Sequence, residues 1–105
     1  MKKITFNNCL KNMETKELYF EETTGEVVAF NGFEEFSFAL CRGESGLWKV
    51  IETSVGVGIA FGVTKADAKK QAETRLNQYG NAKHRDGIEK EKRIIAQFSG
   101  EDHKQ

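Results

Sequence analysis

Two histidines, two cysteines and the acid pairs Glu21-Glu22 and Glu34-Glu35 are the side chains of this 105-residue sequence that first suggest reaction chemistry. His84 or His103 could serve as a general base, but neither has a nucleophile at a suggestive spacing. Both stand in polar sequence and read as surface histidines. Glu21-Glu22 and Glu34-Glu35 offer paired carboxylates, yet neighbours in a strand point to opposite faces. At most one of each pair could therefore enter a cleft, and solvated charges are the simpler reading. Cys9 and Cys41 have neither metal-ligand nor redox-motif spacing; both are expected to be reduced, with Cys41 half-buried in a strand. The run Gly56-Val57-Gly58-Ile59-Ala60-Phe61-Gly62 places its third glycine one residue too late for a dinucleotide turn and is apolar enough to be a strand. No catalytic, metal-binding or cofactor-binding set emerges, and the chain is expected not to be an enzyme.

Aromatic and charged residues say more about partners. Phe30, Phe33, Phe36 and Phe38 crowd nine positions and cannot all face one helix. Phe33, in the turn-like Asn31-Gly32-Phe33, either anchors a partner as an exposed ring or folds over the end of the core. Glu34 and Glu35 flank it, and Glu21 and Glu22 lie on the preceding hairpin. Together these five residues make a candidate acidic and aromatic surface, suited to a basic protein groove, including one that binds nucleic acid. Sixteen Lys and Arg balance sixteen Asp and Glu, so no global field favours nucleic acid or a membrane. The balance is uneven along the chain: six basic and nine acidic residues precede position 64, and ten basic and seven acidic follow it. Lys65, Lys69, Lys70 and Arg75 on the basic side are the alternative, a nucleic-acid-binding face.

The elements that must position these residues follow from periodicity. Leu18–Phe20 and Val27–Phe30 flank Glu22-Thr23-Thr24-Gly25-Glu26, which reads as a hairpin turn. Residues 36–61 read as a three-stranded antiparallel meander, and Ile4-Thr5-Phe6 could add an edge strand. In its last strand Val57, Ile59 and Phe61 would share a face. The opposite, glycine-bearing face implies that something packs close to the backbone or that the strand bends there. At Thr64, which reads as an N-cap, the period changes: Ala68, Ala72, Leu76 and Tyr79 recur at helical steps, and Gly80 reads as a C-cap. A second helix is expected from Asp86 to Phe98, with Ile88, Glu91, Ile95 and Phe98 on one face. The expected fold is α+β: a four- to five-stranded antiparallel sheet over about 4–62, covered on one face by helices over about 64–79 and 86–98. That is one domain over 1–98, with a polar tail at 99–105.

Residues Gly62 to Leu76, carrying Thr64, Lys65, Ala68, Lys69, Ala72 and Leu76, resemble the last strand and final helix of the double-stranded-RNA-binding domain. The resemblance, over about residues 47–76, implies lysines at a helix N-terminus against phosphate. Ala66 and Asp67 depart from that pattern, and the chain lacks proline altogether. Gly46-Leu47-Trp48-Lys49-Val50 with the same segment is also similar to small phage and mobile-element proteins, anti-CRISPR proteins among them. That resemblance implies a small accessory protein that inhibits a host protein by stoichiometric binding. The sequence has no transmembrane run and its first residues have no signal-peptide pattern, so a cytoplasmic protein is expected.

Overall fold

The computed structural model describes residues 2–11, 14, 15, 17–43 and 45–103, and the side chains of these apart from Lys11 and residues 98–103. Five strands, β1 (Lys3–Lys11), β2 (Leu18–Val28), β3 (Phe38–Arg42), β4 (Trp48–Glu52) and β5 (Val57–Gly62), precede one helix, α1 (Lys65–His103). The strands form one antiparallel sheet in sequence order. The expected α+β class and the meander over 36–61 are both present.

The front of the sheet differs from expectation. The stretch 22–26 is not a turn but the middle of β2, because β1 runs for nine residues and supplies it with a partner from Lys3↔Glu26 to Lys11↔Leu18. Thr5 and Thr24 join hydroxyls across that ladder at 3.1 Å. Only Glu26, Val27 and Val28 then pair with β3. The β1–β2 ribbon curls until β1 meets the β4–β5 turn, where the Cys9 amide donates to the Gly56 carbonyl at 2.8 Å. Gly56 (φ 71°) permits this approach: a Cβ there would lie 2.1 Å from the Asn7 carbonyl oxygen.

Curling gives the sheet two apolar layers. Phe38, Leu40, Val50 and Ala60 face α1 and pack with Ala68, Ala72 and Leu76; Phe6, Ala39, Cys41 and Ile51 form a second cluster on the other face. A register shift at Val50/Ile51 pairs Val50 with Ala60 but Ile51 with Gly58. This bulge puts Ile59 out of phase with Phe61. Ala60 is therefore the buried residue, and Phe61 is 53% exposed rather than sharing a covered face with Val57 and Ile59. Of the glycine-bearing face, Gly62 is closely covered, a Cβ there lying 2.3 Å from the Ala68 amide nitrogen, while Gly58 is exposed beside the bulge.

Thr64 caps the helix, its Oγ1 accepting from the Asp67 amide at 3.1 Å. Ala68, Ala72 and Leu76 are buried as their spacing predicts, whereas Tyr79 is exposed. The two expected helices are one: residues 81–85 are helical rather than a loop. Gly80 (φ 82°, ψ 162°) breaks the regular backbone at the expected cap, but the helix resumes at once, so the glycine is a kink and not an end. Beyond the kink Asn81 donates to the Gly32 carbonyl and to Glu35, which straps the 31–37 loop to α1. The side chains of Phe98 and His103 and the residues 104–105 lie outside the described ones. No described helix is long and apolar enough to cross a membrane.

Candidate functional site

The five residues expected to meet a protein partner do not form one open surface. Phe33 is 4% exposed, packed in the helix-side core with Phe36 and His84 at ring-centroid separations of 6.2 and 6.0 Å. Its ring closes the end of the core, because the strap to Asn81 draws the loop under α1; an exposed anchor at this position is ruled out. Glu34 is exposed, and its carboxylate accepts from the Gly32 amide at 2.7 Å. Glu35 is taken up by Asn81 at 2.6 Å and Arg85 at 3.1 Å. Glu21 and Glu22 stand exposed on β2, opposite Asn8 and Asn7 of β1.

The basic alternative is divided as well. Lys65 donates to Glu26 at 2.6 Å and lies 5.0 Å from the Trp48 ring centroid. The ammonium beside it holds the Glu26 carboxyl below the usual carboxylate range. Arg75 donates to the Ile59 carbonyl of β5 at 3.1 Å. Lys69 and Lys70 are exposed.

A different site is built where β4, the β4–β5 turn and the second half of α1 converge. Along β4, Trp48, Val50 and Glu52 point toward the helix, since register sets Val50 opposite Leu40 and Glu52 opposite Phe38. The last of this inward row is thus a carboxylate, with Glu52 only 2% exposed. Ser54 holds one of its oxygens: the Ser54 amide donates to Oε1 at 2.6 Å, and the Ser54 hydroxyl bonds the same atom. From the helix side comes His84, one turn before the buried Ile88 and two after Leu76. Its ring lies edge-on to Phe36 at 4.5 Å and tilted over Phe38 at 5.6 Å.

Glu52 Oε2 and His84 Nε2 face each other at 4.0 Å, too far for a hydrogen bond, and both atoms are buried without another partner. Burial among the phenylalanines pushes the His84 imidazole below its ordinary pKa, against the opposing pull of Glu52 and Glu35. The imidazole is accordingly neutral at pH 7. Beside this pair opens a cleft of about 470 Å³, within the size range of small-molecule sites. Val57, Ile59, Leu76 and Ile88 supply apolar wall, and Arg75, Lys83 and Glu91 supply charge.

Chemically, the pair offers a carboxylate oxygen that accepts and, 4.0 Å away, an imidazole nitrogen that accepts in the tautomer protonated on Nδ1 and donates in the other. Among the described residues no group of three or more His, Cys, Asp or Glu is placed to hold a metal ion. Cys9 is half-buried and Cys41 buried, both are free, and burial pushes both thiols up. The expected helices over 64–79 and 86–98 leave His84 in a loop between them, so the sequence alone does not bring it to Glu52. Comparison with known proteins adds no relative: no family model, no curated protein and no solved structure matches the chain.

Proposed function

We propose that this chain is a non-catalytic binding protein that acts by stoichiometric contact and holds the group it recognises in the cleft beside Glu52 and His84. The observation that carries this reading is the pair of unpartnered buried polar atoms, Glu52 Oε2 and His84 Nε2, at the cleft. A buried acceptor left unmatched costs about 1–3 kcal/mol, more for a charged one, and a bound donor recovers that cost. Such atoms are stabilised by occupancy, which is what a binding site requires.

The narrower form suggested by the sequence is an accessory protein that inhibits a host protein. Exposed Leu47, Phe61 and Val63 at the β4–β5 end supply apolar ground for such a contact. The alternative, RNA or DNA binding by Lys65, Lys69, Lys70 and Arg75, draws its support from exposed Lys69 and Lys70. It is weakened by the engagement of Lys65 with Glu26 and of Arg75 with Ile59.

Filling the cleft tests the reading. A Cβ at Gly87 would meet nothing within 4 Å, and Gly87 lines the cleft, so Gly87→Phe puts a ring there without a backbone clash. Native mass spectrometry after incubation with an extract of the source cells should show one bound species per chain, released chemically unchanged and absent from Gly87→Phe. Equal binding by the filled variant, or release of a converted compound, would refute it.

A further inference from the structure

Resting on the reading of the cleft as the binding site, we infer that its ligand is a small zwitterion: a primary amino or ammonium head between Glu52 Oε2 and His84 Nε2, an apolar body along the cleft wall, and an anionic tail at Arg75 and Lys83.

The head follows from the Glu52 carboxylate together with His84 in the tautomer that carries its proton on Nδ1, in which Nε2 accepts. One nitrogen carrying at least two N–H bonds can donate to both atoms across their 4.0 Å separation. A hydroxyl has only one proton to give and would leave one acceptor unmatched. A carboxylate or phosphate has none and would bring a second negative charge beside Glu52. An ammonium does more than donate: it neutralises a carboxylate that is 2% exposed and whose other oxygen receives only the two bonds from Ser54. His84 completes the cradle because a neutral imidazole can accept where an imidazolium cannot.

The body follows from the walls. Val57, Ile59, Leu76 and Ile88 offer hydrocarbon and no hydrogen-bonding side chain, so the middle of the ligand is apolar. The tail follows from the charges at the exposed side. Arg75 and Lys83 are both exposed and both line the cleft; Arg75 gives one N–H to the Ile59 carbonyl at 3.1 Å and keeps its others for an anion, and Lys83 has no partner among the described residues. Glu91 shares the lining and offsets one of these charges, which leaves a net positive mouth above a negative floor. A ligand that is cationic throughout would match the floor and oppose the mouth. A zwitterion matches both.

The same amino head could arrive on a lysine side chain of a partner protein, which lacks the anionic tail. Titrations with aminobutyrate, aminovalerate and aminocaproate, against hexylamine and caproate, separate the two sources. Amide resonances of Gly58 and Gly87 are the NMR readout. At least one amino acid of the series should bind about tenfold more tightly than both hexylamine and caproate. Glu52→Gln should weaken that binding about ten- to hundredfold, as expected for loss of a charge-assisted hydrogen bond. Lys83→Glu should reduce the affinity of the amino acid toward that of hexylamine and leave hexylamine no weaker. Hexylamine binding as tightly as every amino acid would overturn the zwitterion while leaving the cleft reading intact. Caproate binding most tightly would overturn the head assignment. If none of the five compounds moves these resonances, the inference fails; the Gly87→Phe comparison then decides separately whether the cleft binds anything.

Discussion

Glu52 and His84 approach each other from the sheet and from the helix and stop 4.0 Å apart, with both facing atoms buried and unpartnered. Packing does not force a carboxylate into that position, so its cost to the fold is open to measurement. Glutamine in place of Glu52 keeps an oxygen for Ser54 and removes a buried charge. Glu52→Gln should therefore raise the stability of the unliganded protein by about 1 kcal/mol in urea unfolding at pH 7. The same substitution should weaken ligand binding. A variant that loses both stability and binding would mean that the carboxylate is needed to hold the fold.

His84 makes stability depend on pH in a definite direction. Its folded-state pKa lies below its unfolded value, so the unfolded chain takes up the proton first. The stabilising term is complete above the unfolded value of about 6.5 and is lost as pH falls through that value toward the folded one. The carboxylates facing the ring, Glu52 from β4 and Glu35 from the strapped loop, oppose this shift, and burial outweighs them. Unfolding midpoints taken between about pH 7 and 5 should fall with acidity for the native chain and fall less for His84→Gln. Equal slopes would show that the imidazole titrates alike in the folded and the unfolded chain.

Phe33 and Glu34 are neighbours with opposite roles. Phe33→Ala empties a buried site and should cost about 3–5 kcal/mol. Glu34→Lys gives up one bond to the Gly32 amide at an exposed position and should cost about 1 kcal/mol or less. Thermal unfolding of the two variants checks the contrast. A small effect of Phe33→Ala would return the ring to the surface.

Gly56 carries the junction between the β1–β2 ribbon and the rest of the sheet. Alanine there would drive its Cβ against the Asn7 carbonyl and the Cys9 amide nitrogen while holding φ at 71°. Backbone cannot yield as a flexible side chain can, so Gly56→Ala should cost more than about 3 kcal/mol. Gly32→Ala, with a similar φ but nothing within 4 Å, should cost only about 1–2 kcal/mol. Limited proteolysis should cut the β1–β2 ribbon first in the Gly56 variant. Equal costs for the two would mean that the ribbon is free to move away.

Much of this architecture can be read from spacing alone. The two-residue alternation through β3 and β4 and the Ala68–Ala72–Leu76 step identify a sheet with a helix on it, and Thr64 caps that helix as its side chain suggests. The β1–β2 ladder was hidden because it is polar: Thr, Glu and Asn pair across it, and Gly25 imitates a turn. The bulge at Val50/Ile51 reverses the facing of Phe61, and nothing local to Phe61 announces it. The candidate site was half legible. Alternation from Val50 carries Glu52 inward, but placing His84 opposite it requires knowing that the helix survives Gly80. That depends on contacts made by Asn81 and Arg85 with residues about fifty positions away.

Gly80 accordingly sets the geometry of the cleft. Its dihedrals, φ 82° and ψ 162°, lie in a region open almost only to glycine. Gly80→Ala can hold the kink at a cost of about 1–3 kcal/mol, or it can relieve the strain by becoming helical and redirecting everything after it. Redirection would pull Asn81 and Arg85 from Glu35 and lift His84 off Phe36 and Phe38, opening the pocket around Glu52. The strap and the ring contacts favour the first course until their loss costs less than the strain. Gly80→Ala should thus lower stability by about 1–3 kcal/mol with helical circular dichroism unchanged or slightly increased. Its His84 ring protons should keep the upfield shifts imposed by the phenylalanine rings if the kink holds, and lose them together with ligand binding if it straightens. An alanine variant as stable as the native chain and still able to bind would show that the bend at residue 80 is not what positions His84 over Glu52.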